Sequence, residues 1–558
     1  MRTGKIFAIL VMAAASSLQA QPVINADGVV SNASYLPSGF PNSGIASGSI
    51  FAVFGKGMGP STLARANSFP LLTALAGTSI KVTVAGTTVN AIMLYTVDGQ
   101  VGAILPSSTP VGDGTLTVTY NGQTSAAVPI HVVKSAPGIF AVNQAGSGPG
   151  IITDLNFSTN LITASAAPGQ VMILWATGLG PVSGDEAAGP LPGVMPSGVT
   201  VEVFVGGKPA KVVIFGRSGC CSGLDQVAFE VPQGITGCYV PVLLRVNGVV
   251  SNSVTISISS TGKLCSDSNG FTADDLQKIA NGAGSISAGS VLLTRSSISI
   301  TAPPPVGNLV STIDTGSGAF VRYDFSKLIA STGASGYAPY GSCYIYQYRG
   351  NSTNIPNPVT FTYLDAGDSL TVTGPNGSKQ IPKTSTGGIV AYSAQLGGGT
   401  VGLPGFTPLY LTKGTYTIDN GAGGKDVGPF RATLTLPDPL TWTNKDSVTN
   451  VPRSQDLLVT WSPTSLNGFV IITGGSANTN PQVSGAFICT ERASAGQFSV
   501  PSVVLSALPA SSTLSGVPAG FLSIGYSSDY QSGRFQATGI DVGYAIYFDS
   551  DGKNVNFQ

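Results

Sequence analysis

Residues 45–60 read IASGSIFAVFGKGMGP, and residues 166–181 read AAPGQVMILWATGLGP. Gly48 and Gly169, Gly57 and Gly178, and Pro60 and Pro181 are each 121 residues apart. The match continues through Lys81-Val-Thr-Val-Ala-Gly86 and Glu202-Val-Phe-Val-Gly-Gly207. It then shifts to an offset of 126 for Gln100 and Gln226, Pro106 and Pro232, and Asn121-Gly122 and Asn247-Gly248. One unit of about 120 residues is therefore written twice, and the second copy gains five residues in a segment holding Cys220-Cys221. Repeats at a fixed offset are structural modules, so any fold must be one that two tandem copies can share.

The local pattern inside each copy is that of short strands. Ser49-Ile-Phe-Ala-Val-Phe54, Ile80-Lys-Val-Thr-Val84, Thr115-Leu-Thr-Val-Thr-Tyr120 and Val128-Pro-Ile-His-Val-Val133 are β-branched runs bounded by Gly, Pro or Asn. Asn121-Gly122 and Asn247-Gly248 each join two alternating runs, the signal of a two-residue hairpin. About seven such strands per copy predict an immunoglobulin-like β-sandwich. The expected organisation is a signal peptide over 1–20, module one over 21–134, module two over 135–259 and a linker over 260–305. Two β-sandwich-like domains then follow, over 306–437 and 438–558. Within the linker, Phe271-Thr-Ala-Asp-Asp-Leu-Gln-Lys-Ile-Ala-Asn-Gly282 predicts a helix, with Thr272 as cap and Gly282 as stop. Pro303-Pro-Pro305 reads as a rigid spacer.

Charge excludes one large class of function. Lys plus Arg and Asp plus Glu both number 26, so the net charge is zero and charged residues make up only 9%. Nucleic-acid binding needs a basic face that releases counterions, and none is present. Arg2 and Lys5, an apolar run over 6–15 and the small-residue site before Gln21 form an export signal. That run is too short to span a bilayer, and no later run in the mature chain reads as transmembrane.

Export makes the six cysteines readable as disulfides. A bond between neighbouring Cys220 and Cys221 would strain the backbone. The four clustered cysteines are therefore expected as 220–238 with 221–265, or 220–265 with 221–238. Cys343 and Cys489 are left to tie the two C-terminal regions together. A four-cysteine metal site is the rival reading, and it lacks paired Cys-x-x-Cys spacing.

Few residues offer catalytic chemistry. His131 is the sole histidine, and its counterpart in copy two is Ser257, so we read it as a strand-surface residue. Asp365 and Asp368 lie in Leu-Asp-Ala-Gly-Asp, a turn. Gly55-Lys-Gly-Met-Gly59 and Gly178-Leu-Gly180 resemble phosphate loops but precede no helix, so they read as strand ends. Asp267-Ser-Asn-Gly270 and Asp549-Ser-Asp-Gly552 echo calcium loops without the full pattern, and Asp551-Gly552 reads as a hairpin turn. Trp175, Trp442 and Trp461 sit in strand runs and are expected in cores. Phe54 is the counterpart of Trp175. The most suggestive run is Cys343-Tyr-Ile-Tyr-Gln-Tyr-Arg349. Tyr344, Tyr346 and Tyr348 share one strand face, which would line them up outward if the cysteine face turns inward. Such a stripe suits a glycan or a cell-surface protein, although cross-strand pairing is the plainer use.

Ala136-Pro-Gly-Ile-Phe140, Gly148-Pro-Gly150, Trp175-Ala-Thr-Gly-Leu-Gly-Pro181, Val205-Gly-Gly207, Asp225-Gln226, Val231-Pro232 and Val250-Ser-Asn252 form an ordered set. Through them, module two resembles the Solibacter-type C-terminal domain of exported acidobacterial proteins. Module one is similar to a diverged copy, and both resemble IPT/TIG-type immunoglobulin-like domains. The resemblance implies fold and export, and it implies no catalytic residue.

The sequence therefore predicts an exported all-β protein with tandem immunoglobulin-like sandwich modules and a disulfide-tied β-rich C-terminal region. The expected role is non-catalytic binding or scaffolding, with a glycan or surface protein as partner and no cofactor or metal. The alternative is a polysaccharide-acting enzyme with its site in 306–558.

Overall fold

The computed structural model describes residues 21–267, 272–280, 284–301, 307–324, 338–349, 361–401, 404–462 and 467–558. The expected signal peptide, Pro303–305, Tyr337, and both ends of the expected helix at Phe271 and Gly282 lie outside them.

Both N-terminal modules are immunoglobulin-like sandwiches. In module one, Val23–Ser31, Ile50–Lys56, Gln100–Ile104, Ile92–Val97 and Ala64–Arg65 form one sheet, and Thr78–Val84, Gly112–Tyr120 and Val128–Val133 lead the other. Phe51, Val53, Val82, Val101, Leu116 and Val132 meet between them. In module two, Lys208–Arg217 pairs with Val201–Val205 through its first residues and with Asp225–Glu230 through the rest, so one strand links both layers.

The repeat holds at the level of hydrogen-bond register. Phe54 lies opposite Gln100 as Trp175 lies opposite Gln226. Leu116 faces Val128 as Val242 faces Val254. Both Asn-Gly pairs are hairpin turns with two positive φ values, 46° and 82° in copy one and 51° and 84° in copy two, a conformation that favours Asn and Gly. The register also refines the alignment. Both copies carry a bulge, between Met93 and Tyr95 and between Val212 and Ile214, which makes Ile214 the counterpart of Tyr95 at a local offset of 119. Copy two thus loses two residues before the bulge and gains seven after it.

The short helix is Ala273–Ala280. Thr272 Oγ1 accepts from the Asp275 amide at 3.2 Å and Asp275 Oδ2 from the Thr272 amide at 3.0 Å, a reciprocal cap. The rest of the expected linker is different. Ser285–Thr301 is a 17-residue strand. It pairs antiparallel with Asn308–Asp324 and parallel with Val542–Phe557, Ala288 facing Val542. This ladder joins the strands of the two expected C-terminal sandwiches into one 15-stranded sheet. One apolar core runs from Val291 and Phe320 through Trp442 and Trp461 to Phe557. The expected boundary near residue 437 therefore separates no sheets. Local patterning could not show this, because the joining partner lies 254 residues downstream.

Charge is buried here in one bidentate pair. Arg295 donates to Asp314 at 2.8 and 2.9 Å, and Asp314 Oδ2 also accepts from the Tyr410 and Leu411 amides. Asp549 lies nearby and accepts from the Leu440 amide at 3.0 Å. Burial raises its carboxyl to about 6, against the pull of that amide and of Arg295, with Asp551 and Asp314 adding to the rise. Asp549-Ser-Asp-Gly552 is thus neither the expected turn nor a calcium loop. It lies inside the strand Val542–Phe557, with Asp551 opposite Ile524 and paired with Lys445 at 2.6 Å.

Between about pH 4 and 6 the folded chain holds a proton on Asp549 that the unfolded chain has released, so stability falls as pH rises through that window. Asp549→Asn keeps the acceptor for Leu440 and is expected to remove that slope. Urea unfolding of both proteins at pH 4, 5, 6 and 7 checks it, and parallel pH profiles would contradict it.

Candidate functional site

The densest buried polar group lies where the two modules meet. Arg217 ends its strand opposite Asp225, which begins the next. Its guanidinium donates to Asp225, to Glu186 Oε1 at 3.2 Å, and across the joint to the Gly48 carbonyl at 2.7 Å. All three charged groups are buried. Burial pushes the Asp225 carboxyl upward, and the Arg217 guanidinium and the Leu179 N–H hold it down. Glu186 Oε2 accepts from the Ser107 amide at 2.8 Å, Thr177 Oγ1 from the Ile50 amide at 2.8 Å, and the Val182 amide donates to Ser107 Oγ at 3.0 Å, so several bonds tie module two to module one. Beside this polar pin, Ile50, Ile92 and Ile104 of module one pack with Phe140, Ala187 and Leu224 of module two.

The seven-residue insertion serves this joint. Gly223 and Leu224 sit on module one, and the Gly223 carbonyl accepts from Thr177 Oγ1 at 2.9 Å. At its exposed crest Cys220 is bonded to Cys221. Both expected cross-pairings are thereby corrected. Cys238 bonds Cys265, with Cα atoms 5.0 Å apart, in a cluster with Tyr239, Leu276 and Tyr344. Cys220 and Cys221 stand exposed on the insertion instead and are bonded to each other. Cys343 bonds Cys489 directly across neighbouring strands Ser342–Arg349 and Gln482–Arg492, inside a single sheet.

The tyrosine stripe is not an outward platform. Tyr344 is buried against module two, its hydroxyl donating to the Tyr239 carbonyl. Burial pushes its pKa well up. Tyr346 is half-buried, and Tyr348 alone is open, 53% exposed and stacked on Tyr346 at 6.3 Å. The reason is that both faces of this strand are covered. The cysteine side enters the C-terminal core, and the tyrosine side forms the contact with module two. Sequence periodicity showed one shared face but not what packs on it.

His131 lies on the surface, its Nδ1 2.7 Å from Asp113 across the strand pair. Lys383 bridges Asp365 and Asp368, and Asp365 accepts from the Gly367 amide, the bonding of a braced turn. Asp267 accepts from the Cys238 amide, and the remainder of its motif lies outside the described residues. Among the described residues, no group of three His, Cys, Asp or Glu side chains gathers at metal-binding range. Trp442 and Trp461 are core residues, bridged to each other. Trp175 corrects the expectation: it is half-buried, on the outer face of module two, because the inward positions of its strand belong to Met172 and Leu174.

No protein-family model matches the chain, and no curated protein matches it. Likeness to solved structures is weak. Domains 5–6 of the S-layer protein SbsC are 14% identical, covering 43% of this chain and 99% of theirs, with a TM-score of 0.15. The I9–I11 tandem of titin is 7% identical, covering 71% and 96%, with a TM-score of 0.10. The Bacteroides ovatus mixed-linkage glucan utilization locus protein SGBP-B, solved with a mixed-linkage heptasaccharide, is 10% identical, covering 85% and 90%, with a TM-score of 0.12. At such scores no site transfers between the molecules, and the fold assignment rests on this chain's own sheets. Among the described residues no helix is long and apolar enough to cross a membrane.

Arg217→Met strands two buried carboxylates, a change that costs about 3–5 kcal/mol. Hydrogen exchange at the Ile50 and Leu179 amides is expected to quicken by a hundredfold or more. Adding Asp225→Leu and Glu186→Met is expected to restore most of the protection at Ile50, whose acceptor is Thr177 Oγ1, but not at Leu179, whose acceptor is Asp225. Unchanged exchange in the single variant would show that the cluster does not hold the joint.

Proposed function

We propose that this is an exported, non-catalytic modular protein that binds and scaffolds outside the cell. The observation that carries the reading is the Arg217 joint. The buried charge of Arg217, Asp225 and Glu186 goes into fixing one module against the next, not into lining a cleft. A second joint supports it: Asn42 of module one donates to the Val250 carbonyl at 2.8 Å and accepts from Gln347 of the C-terminal region at 3.2 Å. A chain whose parts are held this way presents surfaces at fixed spacing, which suits simultaneous contact with an extended partner. The resemblance of residues 135–258 to exported acidobacterial domains, together with three disulfides, fits an oxidising location. Near-neutral charge favours an uncharged partner, a glycan or a surface protein, over nucleic acid.

The mature chain, incubated with intact bacterial cells and with isolated extracellular polymer, is expected to be retained saturably. It is expected to release no reducing ends from a polysaccharide panel. Reducing-end release would favour the enzyme reading, and absence of retention on every surface would sink the binding reading.

A further inference from the structure

Module two opens one ring of an aromatic pair whose counterpart in module one is half-buried on both rings. Phe157 is 65% exposed although it is large and apolar, and its backbone sits at φ +63°, a region that bulky residues rarely adopt. The turn that holds it there is braced. Asp154 Oδ1 accepts from the Asn156 and Ser158 amides at 2.8 and 2.9 Å, and the Asp154 carbonyl accepts from the Phe157 amide at 3.0 Å. Phe157 lies 6.1 Å from the Trp175 ring at an interplanar angle of 38°. Trp175 is itself fixed, donating from Nε1 to Thr153 Oγ1 at 3.1 Å. Strain at an exposed apolar residue persists only where the surroundings enforce it, and such positions gather at ligand sites.

The next position across the sheet adds a polar group. Gln226 lies opposite Trp175 on one side and Gly216 on the other. In module one the counterpart Gln100 donates to the Tyr95 hydroxyl at 2.8 Å, and Tyr95 donates in turn to Asn32. In module two the place of Tyr95 is taken by Ile214, which accepts nothing and is 57% exposed. The substitution removes the internal partner of the amide and leaves an apolar neighbour. The equivalent pair in module one, Tyr35 and Phe54, is half-buried on both rings. Phe54 packs under Tyr35, and the following Leu36 and Phe40 tuck against Val483 of the C-terminal region.

We propose that Phe157, Trp175 and Gln226 form a binding site for a neutral glycan. The π face of each ring is electron-rich and meets the polarised C–H face of a pyranose, while the amide donates to and accepts from ring hydroxyls. The flanking groups are Thr153, Asn156 and Ser158, and the row from Trp175 across to Gly216 spans about 10 Å over three strands. This rests on the binding reading above and names its ligand class and place.

Mature wild-type protein and the variants Phe157→Ser, Trp175→Ala and Gln226→Ala would be run by affinity electrophoresis through cellulose derivatives, mixed-linkage β-glucan, xylan, mannan and galactan. Phe157→Ser changes an exposed residue, so it keeps the test valid if Trp175→Ala misfolds. The proposal expects retardation in at least one polymer, reduced about tenfold by either ring variant and several-fold by Gln226→Ala. Tyr348→Ala is expected to retain full binding. Because Trp442 and Trp461 are buried, protection of tryptophan fluorescence from acrylamide by the bound polymer reports on Trp175. Polymer binding that survives Phe157→Ser overturns the site while the binding reading stands. Retention on cells with no retardation in any neutral polymer overturns the ligand class, and capture of a protein at the same residues does the same.

Discussion

The guanidinium of Arg217 is the point on which the arrangement of the first two modules turns. It is buried with two carboxylates and a backbone carbonyl around it, and one of those acceptors, Gly48, belongs to the other module. A buried cation is tolerated only with its partners in place, so separating the modules would expose all of them to an incomplete set. The apolar contact of Ile50, Ile92 and Ile104 supplies area, while the charged cluster supplies orientation. In a chain with so few charged residues, specificity of packing has to come from inside the joint.

The duplicated module explains how such a joint arises without a new fold. The positions that module one buries, Ile50, Ile92 and Ile104, correspond by register to Val171, Lys211 and Glu230 in module two. There Lys211 and Glu230 form an exposed ion pair at 3.7 Å. One copy has an apolar face because it is covered, and the other a charged one because it meets water. That is the difference between an internal and a capping repeat. Phe157, Trp175 and Ile214 depart from this logic, staying apolar on the open side.

Much of the fold was legible because strands and hairpins are local. The Asn-Gly turns, the alternating runs and the Thr272 cap of the helix each need only a few adjacent residues. The C-terminal sheet was not legible at the same level. Ser285–Thr301 is rich in Ser, and its partner strand lies far along the chain. The tyrosine stripe shows the same limit in a side chain: periodicity put Tyr344, Tyr346 and Tyr348 on one face, and only tertiary packing decided that Tyr344 would be buried. For the cysteines, proximity in sequence suggested exchange among four, whereas the fold sends two to each end of module two.

The parallel ladder between Ser285–Thr301 and Val542–Phe557 also sets an order of events. A strand that emerges early must wait for one made more than 250 residues later, roughly 10–50 s at ordinary rates of synthesis. The two N-terminal modules, whose sheets close among near neighbours, are complete long before. The C-terminal sheet spends that interval with an unpaired edge, so the chain depends on whatever keeps nascent strands apart until its last strand arrives.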